Sequence, residues 1–230
     1  MTDVPTHIPS AVAEVATAPI KVRRQTAMNS LYRKAGKRGF DIIATLIIGL
    51  LAVPIVAILA ICILLEGHNP FYSQSRIGKG GRVFRMWKLR TMVANADLKL
   101  AAHLASDPAA QLEWDEKQKL SKDPRITRTG KWLRRSSMDE LPQLLNVLLG
   151  SMSLVGPRPM MVEQRESYKG ASYYKLHPGM TGPWQVSERS ESAFAARVAH
   201  DDDYYKVMGF SYDISLMLKT IAVVFRGTGT

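Results

Sequence analysis

The sequence predicts an α+β protein. We expect a helix-rich domain with a small β-hairpin, an N-terminal re-entrant membrane helix, and amphipathic helices at the surface. Three observations lead to this prediction: an uncharged apolar run over residues 42–65, two strand-like runs around a glycine-rich turn within residues 71–92, and helical patterns over much of the remaining chain.

The apolar run Ile42–Leu65 holds 24 residues without a charge, between Asp41 and Glu66. A helix needs about 20 such residues to cross a bilayer. A buried helix of a soluble protein is the alternative, but such helices seldom stay apolar on every side for this length. The run begins too late in the chain, and is too long, for a cleaved signal peptide. It therefore predicts a helix inserted in a membrane.

Both flanks of this run are basic and carry no acid over residues 21–38 and 75–90. Basic flanks favour the cytoplasmic side, so both ends of the helix are expected there. Pro54, near the middle, removes a backbone donor and bends a helix. These features favour a re-entrant helix over residues 36–68, broken at Pro54. A kinked spanning helix is the alternative.

The rest of the chain divides around this helix. Residues 1–35 are expected to form a disordered basic tail, and residues 69–230 a folded domain. In that domain, Phe71–Arg76 and Arg82–Met92 flank the turn sequence Ile-Gly-Lys-Gly-Gly and predict the hairpin.

Helices are predicted at four places after the hairpin. Residues 94–120 are helical with a break at Asp107-Pro108, and a short basic helix surrounds Trp132 and Leu133. A third helix is predicted to begin at Ser136 and end at Gly150. Residues 213–225 are predicted to form an amphipathic or membrane-surface helix. Five leucines give the third of these helices one apolar face: Leu141, Leu144, Leu145, Leu148 and Leu149.

Composition narrows the function classes. Cys62 is the only cysteine, so a disulfide framework is excluded, and five scattered histidines do not favour a structural zinc site. The net charge of +11 suits nucleic acid, an anionic membrane or a phosphorylated substrate. The sequence carries no helix-turn-helix, zinc-finger or RNA-binding signature, so we do not expect nucleic acid as a partner.

Asp139 and Glu140 form the most informative pair. Pro142 belongs in the first turn of a helix, which puts both acids at its N-terminus. One interpretation is that they only cap the helix dipole. The other is chemical: with Arg134 and Arg158 nearby, we expect a low pKa and an ionised carboxylate at pH 7. An ionised carboxylate can attack phosphorus, and a neighbouring one can hold Mg²⁺ against a diphosphate.

Three further cations are candidate phosphate ligands. Lys88 and Arg90 are two residues apart in a strand-like run and should share one face. Arg158 sits in the rigid loop Gly156-Pro157-Arg158-Pro159, which suits a preorganised phosphate contact. A solvated basic face and an ordinary turn are the respective alternatives.

Motifs along the chain resemble the bacterial sugar transferase family, the monotopic phosphoglycosyl transferases. The resemblance runs from about residue 36 to 226. Within the family, the sequence is most similar to the exopolysaccharide-initiating galactosyl-phosphate transferases of the succinoglycan type. The motifs occur in the family's order: Lys37-Arg38 with Asp41, Arg76-Ile77-Gly78, Lys88-Leu89-Arg90-Thr91-Met92, Asp123-Pro124-Arg125-Ile126-Thr127, Asp139-Glu140-Leu141-Pro142-Gln143 and Ser153-Leu154-Val155-Gly156-Pro157-Arg158-Pro159.

The resemblance implies a cytoplasmic catalytic domain on the bacterial inner membrane, with a re-entrant helix. It implies transfer of a sugar-1-phosphate from a UDP-sugar to undecaprenyl phosphate, with release of UMP, as the first membrane step of exopolysaccharide synthesis. Asp139 would be the nucleophile and Glu140 would help to bind Mg²⁺, while residues matching Lys88, Arg134 and Arg158 would bind phosphate. One position departs from the pattern: Val53 stands where many members carry Ser before the helix-breaking proline.

Two other function classes compete with this one. A membrane-anchored nucleic-acid-binding protein would use the charge, and a non-catalytic scaffold of polysaccharide assembly would keep the anchor without needing Asp139. The sequence does not choose between galactose and glucose. It is compatible with a homodimer.

Overall fold

The computed structural model describes residues 31–117, 120–187 and 196–225. Most of the predicted tail therefore lies outside the described residues. Its last part differs from the prediction: Tyr32–Gly36 form a π-helical turn that leads directly into the membrane-type helix. The turn is anchored because the Tyr32 side chain is buried and donates a hydrogen bond to Asp213.

The helix-rich α+β class is confirmed over the described residues. The longer helices are α1 Lys37–Leu65, α2 Ala96–Ser106, α3 Pro108–Lys117, α4 Arg128–Ser136, α5 Gln143–Leu149, α6 Pro183–Ser187, α7 Ala196–Val207 and α8 Phe210–Phe225. The strands are β1 Phe71–Ile77, β2 Val83–Leu89, β3 Ser153–Val155, β4 Met160–Met161 and β5 Gly179–Thr181.

The predicted hairpin is confirmed as the antiparallel pair β1–β2, with Phe71 opposite Leu89 and Ile77 opposite Val83. Its turn contains Gly80 and Gly81 at positive φ, the conformation in which glycine is least strained. Strand β4 adds to the other edge of β1, giving the order β2-β1-β4. Strands β3 and β5 form a separate parallel pair.

Helix α1 is the one helix among the described residues that is long and apolar enough to cross a membrane. It continues from Lys37 to Leu65 through Pro54. The predicted break at Pro54 is therefore not an interruption of the helix. A proline removes a single hydrogen bond from the helical ladder, and the neighbouring turns keep theirs. A bend at Pro54 stays a prediction.

The folded domain holds both ends of α1. Near the beginning, the Arg38 guanidinium donates to the carbonyls of Val147 (2.5 Å) and Leu148 (2.8 Å), at the end of α5. Near the other end, the Glu66 carboxylate accepts a hydrogen bond from the backbone N–H of Thr129 at 3.3 Å. Both termini of the helix are thus fixed to the same domain.

Apolar packing accompanies these polar contacts. Leu59 and Ile63, in the second half of α1, form a buried cluster with Leu89 and Leu133. Near the middle, ahead of Pro54, Ala52 belongs to the main core. Many other side chains of α1 are exposed and apolar, which is the surface expected of a helix in contact with lipid.

A buried carboxylate joins the two ends of the described chain. Asp213, at the start of α8, is 0% exposed. It pairs with Lys37 at 2.7 Å and accepts hydrogen bonds from the hydroxyls of Tyr32 at 2.7 Å and Tyr204 at 2.8 Å. Three donors compensate for its desolvation, so the start of α1 is locked to the last described helix.

Helix α5 begins later than predicted. Residues Met138–Glu140 form a 3₁₀ turn, and the α-helix itself starts at Gln143. The predicted opening at Ser136 is wrong because Arg128–Ser136 is a separate helix and Ser137 adopts a left-handed conformation between the two. The predicted end at Gly150 is confirmed by its positive φ.

Only part of the predicted leucine face of α5 is buried. Leu144 and Val147 are buried, whereas Leu145 is 49% and Leu149 70% exposed. Asn146 takes a core position instead, because its amide satisfies the hairpin backbone: Nδ2 donates to the carbonyl of Arg85 at 2.7 Å, and Oδ1 accepts from the N–H of Trp87 at 3.0 Å.

The other predicted helices are confirmed. The break between α2 and α3 falls at Asp107, whose carboxylate accepts from the N–H groups of Ala109 (3.0 Å) and Ala110 (3.1 Å) and so caps α3. The short basic helix is α4, and the predicted helix over 213–225 is α8, which starts at Phe210. Phe210, Leu218 and Ile221 expose apolar surface on α8, as an amphipathic surface helix should.

Candidate active site

The acid pair lies in the short 3₁₀ turn between α4 and α5. Ser137 precedes it with φ 56°, which turns the chain sharply after α4. Asp139 is buried, with 8% of its surface exposed. The acids therefore stand ahead of α5, across the Leu141-Pro142 turn, and not in its first turn as predicted.

Lys88 connects the acid pair to the hairpin. Its Nζ lies 2.7 Å from Oε1 of Glu140 and 3.6 Å from Oδ2 of Asp139. Lys88 is on β2, 51 and 52 positions away in the chain, and the packing of the hairpin against the 3₁₀ turn brings the three together. The structure thus places Lys88, which the sequence predicts as a phosphate ligand, against the acid pair.

The electrostatics of Asp139 differ from the prediction. Burial raises the pKa of the Asp139 carboxyl above its ordinary value, and the charge of Glu140 adds to this effect, while Lys88 and Arg134 oppose it. The predicted low pKa is wrong in direction. The basic sequence context is real, but desolvation of a buried carboxyl outweighs the two cations that face it.

Arg134 reaches the site from α4. Its Nε donates to Oγ1 of Thr91 at 3.0 Å. Burial lowers the pKa of Arg134, and the negative charge of Asp139 works in the opposite direction. The guanidinium is therefore close enough to Asp139 to stabilise its charged form, and the Thr91 hydroxyl fixes its orientation.

Arg158 approaches from the opposite side, on the loop after β3. Its guanidinium lies 5.8 Å from the Trp184 ring centre, and Arg197 donates to its backbone carbonyl at 2.6 Å. The loop itself is tightly packed, because a Cβ on Gly156 would lie 2.3 Å from the carbonyl oxygen of His177. The structure thus provides the rigid, cationic loop that the two prolines predicted.

Arg90 does not join this group. It follows β2, and its guanidinium lies 5.9 Å from the ring of Tyr72, the cross-strand partner of Lys88. Arg90 and Lys88 therefore share one face of the hairpin, as their spacing predicted. However, Nε of Arg90 donates to the carbonyl of Asn69 at 2.7 Å, and Arg90 does not line the pocket described next.

A pocket opens between the hairpin, the 3₁₀ turn and the Arg158 loop. Its charged lining consists of Arg76, Lys88, Glu140 and Arg158. Uncharged residues complete the lining: Gln143, Gln185, Met86, Met180, Pro159 and Gly179. With three cations and one carboxylate, this pocket suits an anion. The buried Asp139 lies next to the pocket, because Lys88 of the lining is 3.6 Å from its carboxylate.

Sequence reasoning missed Arg76 and Arg197 as parts of the site. In the sequence, Arg76 is one of many basic residues and is part of a family motif, whereas Arg197 belongs to none of the motifs named above. Arg197 could not be found from local sequence, because its partner Arg158 is 39 residues away. Arg76 could have been found from strand alternation in the predicted hairpin. It lies on the same face of β1 as Tyr72, which stands opposite Lys88.

The carboxylates fit the requirements of Mg²⁺. This ion is usually held by one or two carboxylates together with substrate phosphates and water, without an all-protein cage. Asp139 and Glu140 offer such a pair beside a cationic pocket. The described residues contain no group of three or more His, Cys, Asp or Glu that could form a complete cage.

Fold and site together define a class of protein: an α+β domain that holds a membrane-type helix at both ends and carries an anion pocket beside a carboxylate pair. Sequence comparison narrows this class. The chain belongs to the bacterial sugar transferase family, whose sequence model matches residues 32–227.

Individual relatives agree with this assignment. The chain is 45% identical over 195 residues to a UDP-galactose-lipid carrier transferase of Erwinia amylovora, covering 84% of this chain and 41% of that protein. It is 37% identical over 218 residues to the exopolysaccharide production protein ExoY of Rhizobium meliloti, covering 94% and 96%. It is 31% identical over 229 residues to the UDP-glucose:undecaprenyl-phosphate glucose-1-phosphate transferase of Escherichia coli, covering 95% and 45%.

The lengths of these relatives differ. The chain spans 41% of the Erwinia protein and of the undecaprenyl-phosphate galactose phosphotransferase of Salmonella typhimurium, to which it is 43% identical. It spans nearly all of the ExoY protein.

Proposed function

We propose that this protein transfers a sugar-1-phosphate from a UDP-sugar to undecaprenyl phosphate and releases UMP, as the first membrane step of exopolysaccharide synthesis. The observation that carries the proposal is the buried carboxylate of Asp139 beside a pocket lined by Arg76, Lys88 and Arg158. An isolated carboxylate is a poor ligand for an anion, so a carboxylate facing an anion pocket calls for a reaction between the two.

In the first step, a carboxylate oxygen of Asp139 forms a bond to the β-phosphorus of the donor. The bond from that phosphorus to the bridging oxygen breaks, and its electron pair leaves on the oxygen of UMP. Lys88 lies against both acids, so it can neutralise the attacked phosphoryl group as the carboxylate approaches. Lys88 and, to a smaller extent, Arg134 favour the charged form of Asp139 against the effect of burial.

In the second step, a phosphate oxygen of the lipid attacks the same phosphorus. The bond between phosphorus and the Asp139 oxygen breaks, and the free carboxylate is restored. Using one nucleophile for two anionic substrates in turn avoids bringing a diphosphate and a lipid phosphate together at the same moment.

Mg²⁺ is the metal that the proposal requires, and Glu140, next to the nucleophile Asp139, is the residue that would help to hold it. The ion would supply positive charge to the donor phosphates when bound. Glu140 pairs with Lys88 at 2.7 Å, so a metal held by this carboxylate would lie next to the lysine.

The lipid acceptor requires the site to lie at the membrane surface. We propose that α1 enters the inner membrane and returns to the cytoplasmic face. What supports this is that Arg38 and Glu66, near opposite ends of the helix, both hydrogen-bond to the same domain. A straight membrane-spanning helix would place these two residues on opposite sides of about 30 Å of hydrocarbon.

The donor sugar is proposed to be galactose or glucose. Support comes from relatives whose names specify a UDP-galactose-lipid carrier transferase and a UDP-glucose:undecaprenyl-phosphate glucose-1-phosphate transferase. A non-catalytic scaffold is the alternative, and it would need neither the acid pair nor the cationic pocket beside it.

The test is UMP release by the full chain in lipid nanodiscs. UDP-galactose, UDP-glucose and UDP-N-acetylglucosamine are each supplied with Mg²⁺, with and without undecaprenyl phosphate. We expect UMP in proportion to lipid-linked sugar phosphate with one of the first two donors. Without lipid, the peptide containing Asp139 should gain the mass of one sugar phosphate. No UMP with any donor would refute the proposed function.

A further inference from the structure

Arg76 is the cation of the pocket to which no role has yet been given. We propose that Arg76 is a substrate-binding residue that, together with Arg158, holds the phosphate of the nucleoside monophosphate that leaves in the first step. This inference rests on the proposed function.

The hairpin register places Arg76 and Lys88 on one face at different positions along the strands. Lys88 stands opposite Tyr72, and Arg76 stands opposite Phe84. Residues opposite each other in an antiparallel pair share a face, and so do positions 72 and 76 of one strand. The two cations are thus separated by four residues along the sheet, about 13 Å. Long side chains that converge from this separation suit two neighbouring phosphates better than one.

The acid pair decides which phosphate each cation meets. Lys88 contacts Asp139 and Glu140, so it belongs to the phosphorus that Asp139 attacks. Arg76 forms no salt bridge with either acid within the described residues, although the charge of Glu140 acts on it, and the cation beside it is Arg158. When the bond to the bridging oxygen breaks, the electron pair and a new negative charge pass to the second phosphate. A guanidinium at that position stabilises the charge as it forms.

Arg76 is oriented but not neutralised. Its Nη1 donates to the carbonyl of Pro159 at 3.3 Å, and Nη2 donates to Oε1 of Gln74 at 2.6 Å. Both partners are uncharged, and within the described ranges Arg76 forms no ion pair. Its Nε is buried without a hydrogen-bond partner.

Neighbouring positive charge makes an anion at this place favourable. Burial and the charge of Arg158 lower the pKa of Arg76 to about 10, and Arg197 contributes in the same direction. The group remains charged at neutral pH, in surroundings that penalise its charge. A phosphate placed between Arg76 and Arg158 removes this penalty and can accept from both guanidiniums.

The experiment measures UMP binding to the full chain in nanodiscs by calorimetry. Arg76→Gln should weaken binding by about tenfold or more, as expected for a lost hydrogen bond between charged groups. Arg85→Gln is the matched control, because Arg85 is exposed and stands opposite Ser75 on the other face of the hairpin. It should bind UMP within about twofold of the wild type.

A second variant tests the same inference if Arg76→Gln folds poorly. Gln74→Glu gives Arg76 an internal carboxylate partner without removing it, and should also weaken UMP binding. The KM for undecaprenyl phosphate is measured in parallel, because a lipid phosphate is the other anion that could use this guanidinium.

The outcomes distinguish the role of Arg76 from the proposed function of the protein. Weaker UMP binding with an unchanged KM for the lipid supports the inference. Unchanged UMP binding in both variants, or a raised lipid KM alone, overturns it while the proposed function stands. A wild-type protein that releases no UMP overturns both.

Discussion

At the scale of single residues, Asp139 gives the most direct prediction. Asp139→Asn keeps the size of the side chain and removes its nucleophilic capacity, so UMP release should fall by about a thousandfold or more. The variant should unfold at the same or a higher temperature. Burial raises the pKa of Asp139, which means that its charge costs folding free energy at neutral pH.

The control is Asp203→Asn, the same substitution at an exposed side chain, which should keep both rate and stability. Near wild-type turnover by Asp139→Asn would reduce the acid pair to a structural turn and remove the mechanism proposed above.

Lys88 controls the protonation of Asp139. Activity requires the carboxylate, so the rate falls when pH drops through the pKa of Asp139. Lys88 is the strongest influence that lowers this pKa. In Lys88→Met the acidic limb of the pH profile should therefore move up by about one pH unit or more.

The readout is single-turnover labelling of Asp139 as a function of pH, which stays measurable when steady-state turnover is slow. Lys79→Met, an exposed lysine in the hairpin turn, should leave the acidic limb in place. An acidic limb at unchanged or lower pH in Lys88→Met would show that this lysine does not act on Asp139.

At the scale of elements, the contact of α5 with the hairpin holds the acid pair against Lys88. Asn146 makes this contact by bonding the backbone of Arg85 and Trp87. Asn146→Ala leaves two partly buried backbone groups without their side-chain partner and should cost about 1–3 kcal/mol of unfolding free energy. Thermal or denaturant unfolding in detergent measures this loss.

Leu149→Ala serves as the control on the same helix, because Leu149 is exposed. It should change the unfolding free energy by no more than about 0.5 kcal/mol. Equal effects of the two substitutions would contradict the assignment of Asn146, rather than the leucines, to the interior of the domain.

At the scale of the whole molecule, the topology of α1 is the main prediction. In a Cys62→Ser background, single cysteines at Ser30 and Ser75 flank the helix on its two sides. Both should resist a membrane-impermeant thiol reagent added to intact cells, and both should react after the cells are opened. Labelling at position 30 in intact cells would favour a spanning helix.

Local sequence signals predicted the elements that depend on local physics. The uncharged run predicted α1, the glycine-rich turn predicted the hairpin, and Asp107-Pro108 predicted the break between α2 and α3. Local signals could not predict which side chains of a helix the tertiary structure buries. The leucines of α5 form a regular apolar stripe, but the hairpin backbone needs an amide, and so Asn146 is inside and Leu149 outside.

The site divides in the same way. Asp139, Glu140, Lys88, Arg134 and Arg158 were found from charge and motif. Their electrostatic state was not, because the pKa of Asp139 depends on burial, which no local pattern reveals. Arg76 and Arg197 enter through contacts that are distant in sequence: Arg76 meets Pro159, 83 positions away, and Arg197 meets Arg158.

The link between Lys37 and Asp213 has a consequence for biosynthesis. These residues are 176 positions apart, so α1 leaves the ribosome well before its partner carboxylate exists. Throughout that interval the start of α1 lacks the buried acceptor that Tyr32 and Lys37 share in the finished protein. The start of α1 can therefore be bonded to its buried acceptor only after residue 213 has been synthesised, and chains that stop before Asp213 are the ones that quality-control proteases should remove.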